Sequence, residues 1–150
     1  MVACRPSFVN VDATLFDQLR QLRLPPGSYA VFGSGPLAIR GLIPACNDLD
    51  ILCKPDVWDI VSRDGVTECL ADYDVTVASL CDSALTFGMQ WGIGDFNVIE
   101  LIDTAEMIDS LPFVRLEHVV RYKTIRSSEK DLQHLRALRR CQGNNDLLTA

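Results

Sequence analysis

The sequence predicts a single α/β (α+β) domain: a small mixed sheet flanked by helices and closed by a C-terminal helical pair. Three observations lead there. Helical periodicity marks both ends of the chain, and strand-length apolar runs separated by turn residues fill the middle. Between them, YAVFGSGPLAIRGLIPACNDLDIL reads as strand, glycine turn, short helix and second strand. With 150 residues, 48% of them apolar, the chain suits one core, so residues 1–150 are taken as one domain with a loose tail over about 143–150.

The elements follow in order. Residues 12–23 place Leu15, Phe16, Leu19 and Leu22 on one helical face, with Asn10 or Asp12 as the cap and Pro25-Pro26-Gly27 as the stop. Residues 28–32 form the first strand. Pro36 suits the first turn of a short helix ending near Gly41. Residues 48–53 form the second strand, and Lys54-Pro55 opens a helix that stops at Asp64-Gly65. Loose alternation over 66–90 supplies two or three short strands. Residues 95–102 read as a buried strand, because FNVIELI is apolar on both parities, and 104–110 as a short helix before Pro112. Two helices over 115–126 and 129–141 close the chain, with Ser127-Ser128 between them and Gly143 as the stop.

Composition narrows the function. The N-terminal MVACRPSFVNVD lacks a long apolar run, and no stretch has the length of a membrane span, so a cytoplasmic protein without membrane partners is expected. The six cysteines form no CxxC pair and read as reduced, buried small hydrophobes. His118 and His134 both fall in helices and make no His-rich metal site. Charge is split along the chain. Residues 41–112 carry two basic and fourteen acidic residues, whereas 113–150 carry eight basic and four acidic. An acidic body that can collect cations meets a basic segment that can neutralise phosphate, or simply packs against it.

The candidate site lies in the two central strands. Residues two apart on a strand share a face, so Asp48 and Asp50 present two carboxylates to one hard cation. By itself such a pair is weak. Twenty acids in this chain give roughly two or three chance pairs, the risk that any short motif carries, and Asp72 and Asp74 form one. The combination is more specific. Gly33 lets backbone approach phosphate, Ser34 and the following amides donate to anionic oxygens, and thirteen residues separate Ser34 from Asp48.

At these residues the chain resembles the nucleotidyltransferase superfamily to which DNA polymerase beta belongs. Its signature is Gly-Gly or Gly-Ser followed, after about ten residues, by Asp-x-Asp or Asp-x-Glu. Gly33, Ser34, Asp48 and Asp50 match it. The resemblance implies a third carboxylate on a later strand. Glu100 is the choice for that role, because an ionised acid in a strand covered on both faces needs a compensating cation. An ion pair with a C-terminal arginine is the structural alternative. The segment RYKTIRSSEKDLQHLRAL is similar to small stand-alone members related to toxin–antitoxin and abortive-infection nucleotidyltransferases. These carry a lysine on one helix and a Lys-Asp pair opening the next, here Lys123 and Lys130-Asp131.

Lys123 continues an inward stripe with Leu116, Val119 and Val120, from which it reaches triphosphate or merely snorkels. Asp131 completes a capping box with Ser128. Arg40, just after the phosphate turn, is a further candidate for nucleotide binding.

The resemblance implies transfer of a nucleotidyl group from an NTP to an acceptor hydroxyl, with Mg²⁺ or Mn²⁺ held by Asp48, Asp50 and Glu100. The acceptor class stays open among protein, RNA end and small molecule. A chain this short suggests that a protein partner or a homodimer completes the site. A catalytically silent nucleotide-binding or antitoxin-like module is the alternative.

Overall fold

The central strands β1 (Tyr29–Phe32) and β2 (Leu49–Cys53) pair antiparallel, with Phe32 opposite Asp50. Strand alternation divides the core between them. Tyr29, Val31, Leu49, Ile51 and Cys53 face one cluster, and Ala30, Phe32 and Leu52 face the other. By the same parity Asp50 belongs to the second face. The computed structural model describes residues 14–44, 46–72, 74–91 and 94–149, with side chains as far as 141.

Helices α1 (Leu15–Gln21) and α3 (Pro55–Asp64) cover the first face through Leu19, Val57 and Val61. The one-turn α2 (Gly35–Ala38), α4 (Val98–Asp103), α5 (Leu116–Arg126) and α6 (Glu129–Thr149) lie on the second, through Leu37, Leu101, Val119, Tyr122 and Leu138. The remaining strands are β3 (Val66–Leu70), β4 (Val75–Leu80), β5 (Leu85–Gly88), β6 (Glu106–Ile108) and β7 (Leu111–Phe113). Among the described residues the sheet has seven strands, ordered β3-β4-β5-β2-β1-β7-β6. β2 runs parallel to β5 and β1 parallel to β7, so the sheet is mixed. No helix of the described residues is long and apolar enough to cross a membrane.

Several expected elements differ. α1 begins later than expected: Thr14 is its cap, in a reciprocal capping box with Asp17, while Asn10 and Asp12 lie outside the described residues. The segment expected as a strand over 95–102 contains α4. Asn97 caps it by accepting from the Glu100 amide, and Leu101 and Ile102 turn inward together. An apolar run on both strand parities also satisfies helical spacing, and the cap decides between them. The helix expected over 104–110 is instead the β6–β7 hairpin. Asp109 and Ser110 both take positive φ, at 49° and 69°, as a two-residue I′ turn requires. α6 runs through Gly143, whose penalty of about 1 kcal/mol does not stop a helix, so the expected loose tail is helical to Thr149. The cysteines are not uniformly buried and reduced: Cys53 is buried, Cys69 is exposed, and Cys81 takes part in a disulfide.

Candidate functional site

The turn after β1 is pressed against β2. Gly33 has φ +65°, and a Cβ there would lie 3.1 Å from Asp50 Oδ2. A Cβ on Gly35 would clash with Val31 Cγ1, so the chain can enter α2 this close to the sheet only without a side chain. Ser34 occupies the α2 N-cap yet makes no capping hydrogen bond. Its hydroxyl is engaged elsewhere, by Lys123 Nζ at 3.1 Å and His134 Nδ1 at 3.3 Å. A one-turn helix aligns few peptide dipoles, so an anion placed here would depend on Gly33, Ser34 and the cations behind them rather than on α2.

Asp48 is exposed just before β2, and Asp50 is half-buried at its start. Burial, and then the neighbouring Asp48 charge, push the Asp50 carboxyl up to about 6, against the pull of Arg126, Lys123 and Lys130. A carboxyl raised by burial and by the Asp48 charge is an oxygen donor that a divalent cation would relieve, with Asp48 as the second donor. The pair therefore fits one such ion, which would complete its shell with water and ligand phosphate.

Glu100 does not join them. It is exposed in the first turn of α4. Asp103 of the same helix pairs with Lys54 at 2.6 Å, which fixes α4 beside the Cys53 end of β2, opposite the Asp48 end. The residue that β5 sets beside Asp50 is Thr86, whose Oγ1 lies 3.5 Å from Ser79 Oγ on β4. Among the described residues no three His, Cys, Asp or Glu side chains converge as a metal group. The three-carboxylate site expected from the sequence is thus reduced to Asp48 and Asp50.

Arg40 is also displaced from the expected role. Its Nη1 donates to Pro36 O at 2.6 Å and its Nη2 pairs with Glu106, so the guanidinium clasps α2 to β6. Lys123, in contrast, stands directly behind the Gly33-Ser34 turn. It is 1% exposed and does not snorkel. Its ammonium donates to Ser34 Oγ at 3.1 Å, to Asp131 Oδ1 at 3.3 Å and to His134 Nδ1 at 3.2 Å. Burial pulls its proton affinity down, while Asp131 acts in the opposite direction.

Asp131 is 0% exposed and takes both Arg126 Nε and Nη2 at 2.7 Å. It also completes the expected capping box with Ser128. Burial would raise its carboxyl, but the hydrogen bonds from Arg126 and Ser128 hold it well below the usual carboxylate range. It is therefore both a cap and the counter-ion of Lys123.

His134 is the site residue that no sequence pattern marks. A lone histidine in a helical stretch carries little information. The only available signal is its position one turn after Lys130-Asp131 on α6. It lines a cleft of about 410 Å³ together with the polar Ser34, Lys130 and Arg140 and the apolar Leu42, Ile43 and Pro44. Comparison with protein-family models, curated proteins and solved structures finds no match to the chain.

Proposed function

We propose that the protein binds a metal-complexed nucleoside triphosphate and transfers its nucleotidyl group to an acceptor hydroxyl. One observation supports this most: Gly33 lies against Asp50 while Lys123 holds Ser34 from behind. A glycine turn open to phosphate, a carboxylate pair and a buried ammonium thus lie together at one end of the two central strands. Asp48 and Asp50 would hold Mg²⁺ or Mn²⁺, which neutralises charge on the triphosphate. The acceptor oxygen attacks the α-phosphorus, the bond to the β-phosphate oxygen breaks, pyrophosphate leaves, and the acceptor proton is released. The acceptor is a protein, an RNA end or a small molecule, and a partner chain or a second copy would complete its binding surface.

The test is incubation with each labelled NTP and Mg²⁺ in lysate, following a labelled product and pyrophosphate. Asp48→Asn and Asp50→Asn should each lower transfer by orders of magnitude while the fold persists. Folded variants that retain full transfer would rule the mechanism out. A second reading, a silent nucleotide-binding or antitoxin-like module, is favoured by Thr86, a neutral residue, standing beside Asp50 where a third acid would complete the site. Calorimetric NTP binding without pyrophosphate release from any acceptor would select that reading.

A further inference from the structure

The contacts of Lys123 determine where the proton of a neighbouring imidazole sits. An ammonium has three protons and accepts nothing. Here all three are directed at acceptors: Ser34 Oγ, Asp131 Oδ1 and His134 Nδ1. Nδ1 therefore accepts, and in the neutral ring the proton lies on Nε2. Ser34 Oγ, at 3.3 Å from the same Nδ1, accepts from Lys123 and leaves the single Nδ1 lone pair to the ammonium. Burial, and then the charge of Lys123, hold the His134 ring below its ordinary proton affinity, so it is neutral at pH 7.5.

Among the described residues Nε2 has no hydrogen-bond partner, and His134 is half-buried in the wall of the 410 Å³ cleft. That volume is within the range of small-ligand sites. The α6 wall also carries the exposed Lys130 and Arg140, and Ser34 stands at its edge. A fixed N–H donor beside two cations and a hydroxyl suits an anionic oxygen, and no Asp or Glu is among the described residues lining the cleft.

We propose that His134 is a ligand-positioning residue, locked by Lys123 as the Nε2–H tautomer and donating from the cleft wall to a phosphate oxygen of the bound nucleotide. This rests on the nucleotide reading above. It adds that the phosphate chain extends from the Gly33-Ser34 turn along α6, and that Lys123 acts through Ser34 and His134 rather than by reaching phosphate itself.

The test uses the full chain, with inorganic tripolyphosphate in EDTA as a probe free of base and metal, and ATP with Mg²⁺ beside it. Nitrogen-correlated NMR of labelled histidine should show His134 protonated at Nε2 alone at pH 7.5, with that nitrogen's resonance moving on addition of tripolyphosphate. His134→Leu should weaken tripolyphosphate binding roughly ten-fold, the scale of a lost hydrogen bond to a charged group. His134→Gln, whose amide can donate from near the Nε2 position, should stay within about three-fold of wild type. An Nδ1–H tautomer, or His134→Leu binding as tightly as wild type, overturns the proposal and leaves the nucleotide reading intact. Wild-type protein that binds neither tripolyphosphate nor ATP overturns both. Equal weakening in the leucine and glutamine variants, with both folded, assigns His134 a packing role and also overturns it.

Discussion

Burial beside Asp48 makes the ionised Asp50 costly, and the sign of that cost is testable. Burial and Asp48 raise its carboxyl from the ordinary 3.8 to about 6. The native state therefore binds this proton more tightly than the unfolded chain does. Well below pH 3.8 both states are protonated and the group is neutral in effect. As pH rises from about 4 to about 6 the unfolded chain ionises first, so stability falls, and above 6 the cost is constant. A tenfold change in proton affinity is worth about 1.4 kcal/mol, and partial exposure reduces the total cost to roughly 1–2 kcal/mol. Asp50→Asn should thus raise the melting temperature at pH 7.5 in EDTA by about 2–6 °C, and much less at pH 4. Thermal melts at both pH values decide it. A variant melting at or below wild type at pH 7.5 would show that Asp50 carries no such penalty. The same substitution should abolish transfer, so a gain in stability would accompany a loss of function.

At the scale of elements, the α5–α6 joint depends on one carboxylate. Asp131 caps α6, holds Arg126 by two nitrogens and neutralises a lysine that is itself 1% exposed. Asp131→Ala leaves two cations without their anion, one of them buried, and should cost about 3–5 kcal/mol in urea or thermal unfolding. Asp131→Ala with Lys123→Met should recover part of that loss, since the buried charge is then gone. If the double variant is less stable than Asp131→Ala alone, the loss comes from the cap and not from the charge.

The same elements explain what the sequence can and cannot reveal. The helix from Pro55 to Asp64, the three strands after it and the α5–α6 pair are legible because their periodicity and punctuation agree. The closeness of Gly33 to Asp50 and of Ser34 to Lys123 is present in the fold, whereas the nucleotide role given to these residues and to Asp48 rests on residue type and spacing. α4 is misread because FNVIELI satisfies both periods, and Glu100 is misassigned with it. The β6–β7 turn is hidden because Asp109-Ser110 lacks the glycine that usually marks positive φ. His134 and Thr86 become visible only through contacts across 100 residues in one case and strand register in the other.

For the molecule as a whole, the site lies at the seam between the acidic sheet and the basic helical pair. Gly33, Ser34, Asp48 and Asp50 come from the sheet side, and Lys123, Lys130 and His134 from α5 and α6. Ser34 bridges that seam through Lys123 and His134. A metal–triphosphate complex would bind both sides, its cation on the aspartates and its phosphates against the helices, and so join the two halves in a way neither component can alone. Mg²⁺ by itself should relieve only Asp50, and NTP by itself should meet repulsion from the carboxylate pair. Stabilisation should therefore exceed the sum of the two. A ligand at about 100 times its Kd adds about 2.7 kcal/mol, which in a domain of this size is a rise of roughly 5–10 °C in melting temperature. Thermal melts with Mg²⁺, with each NTP in EDTA, and with both together measure this directly. Melting-temperature changes that merely add would place metal and nucleotide at separate sites. No change with the pair, at millimolar concentrations of both, would remove the nucleotide from this seam altogether. Synergy that persists in Asp48→Asn but vanishes in Asp50→Asn would identify the half-buried aspartate as the residue that couples the sheet to the helical pair.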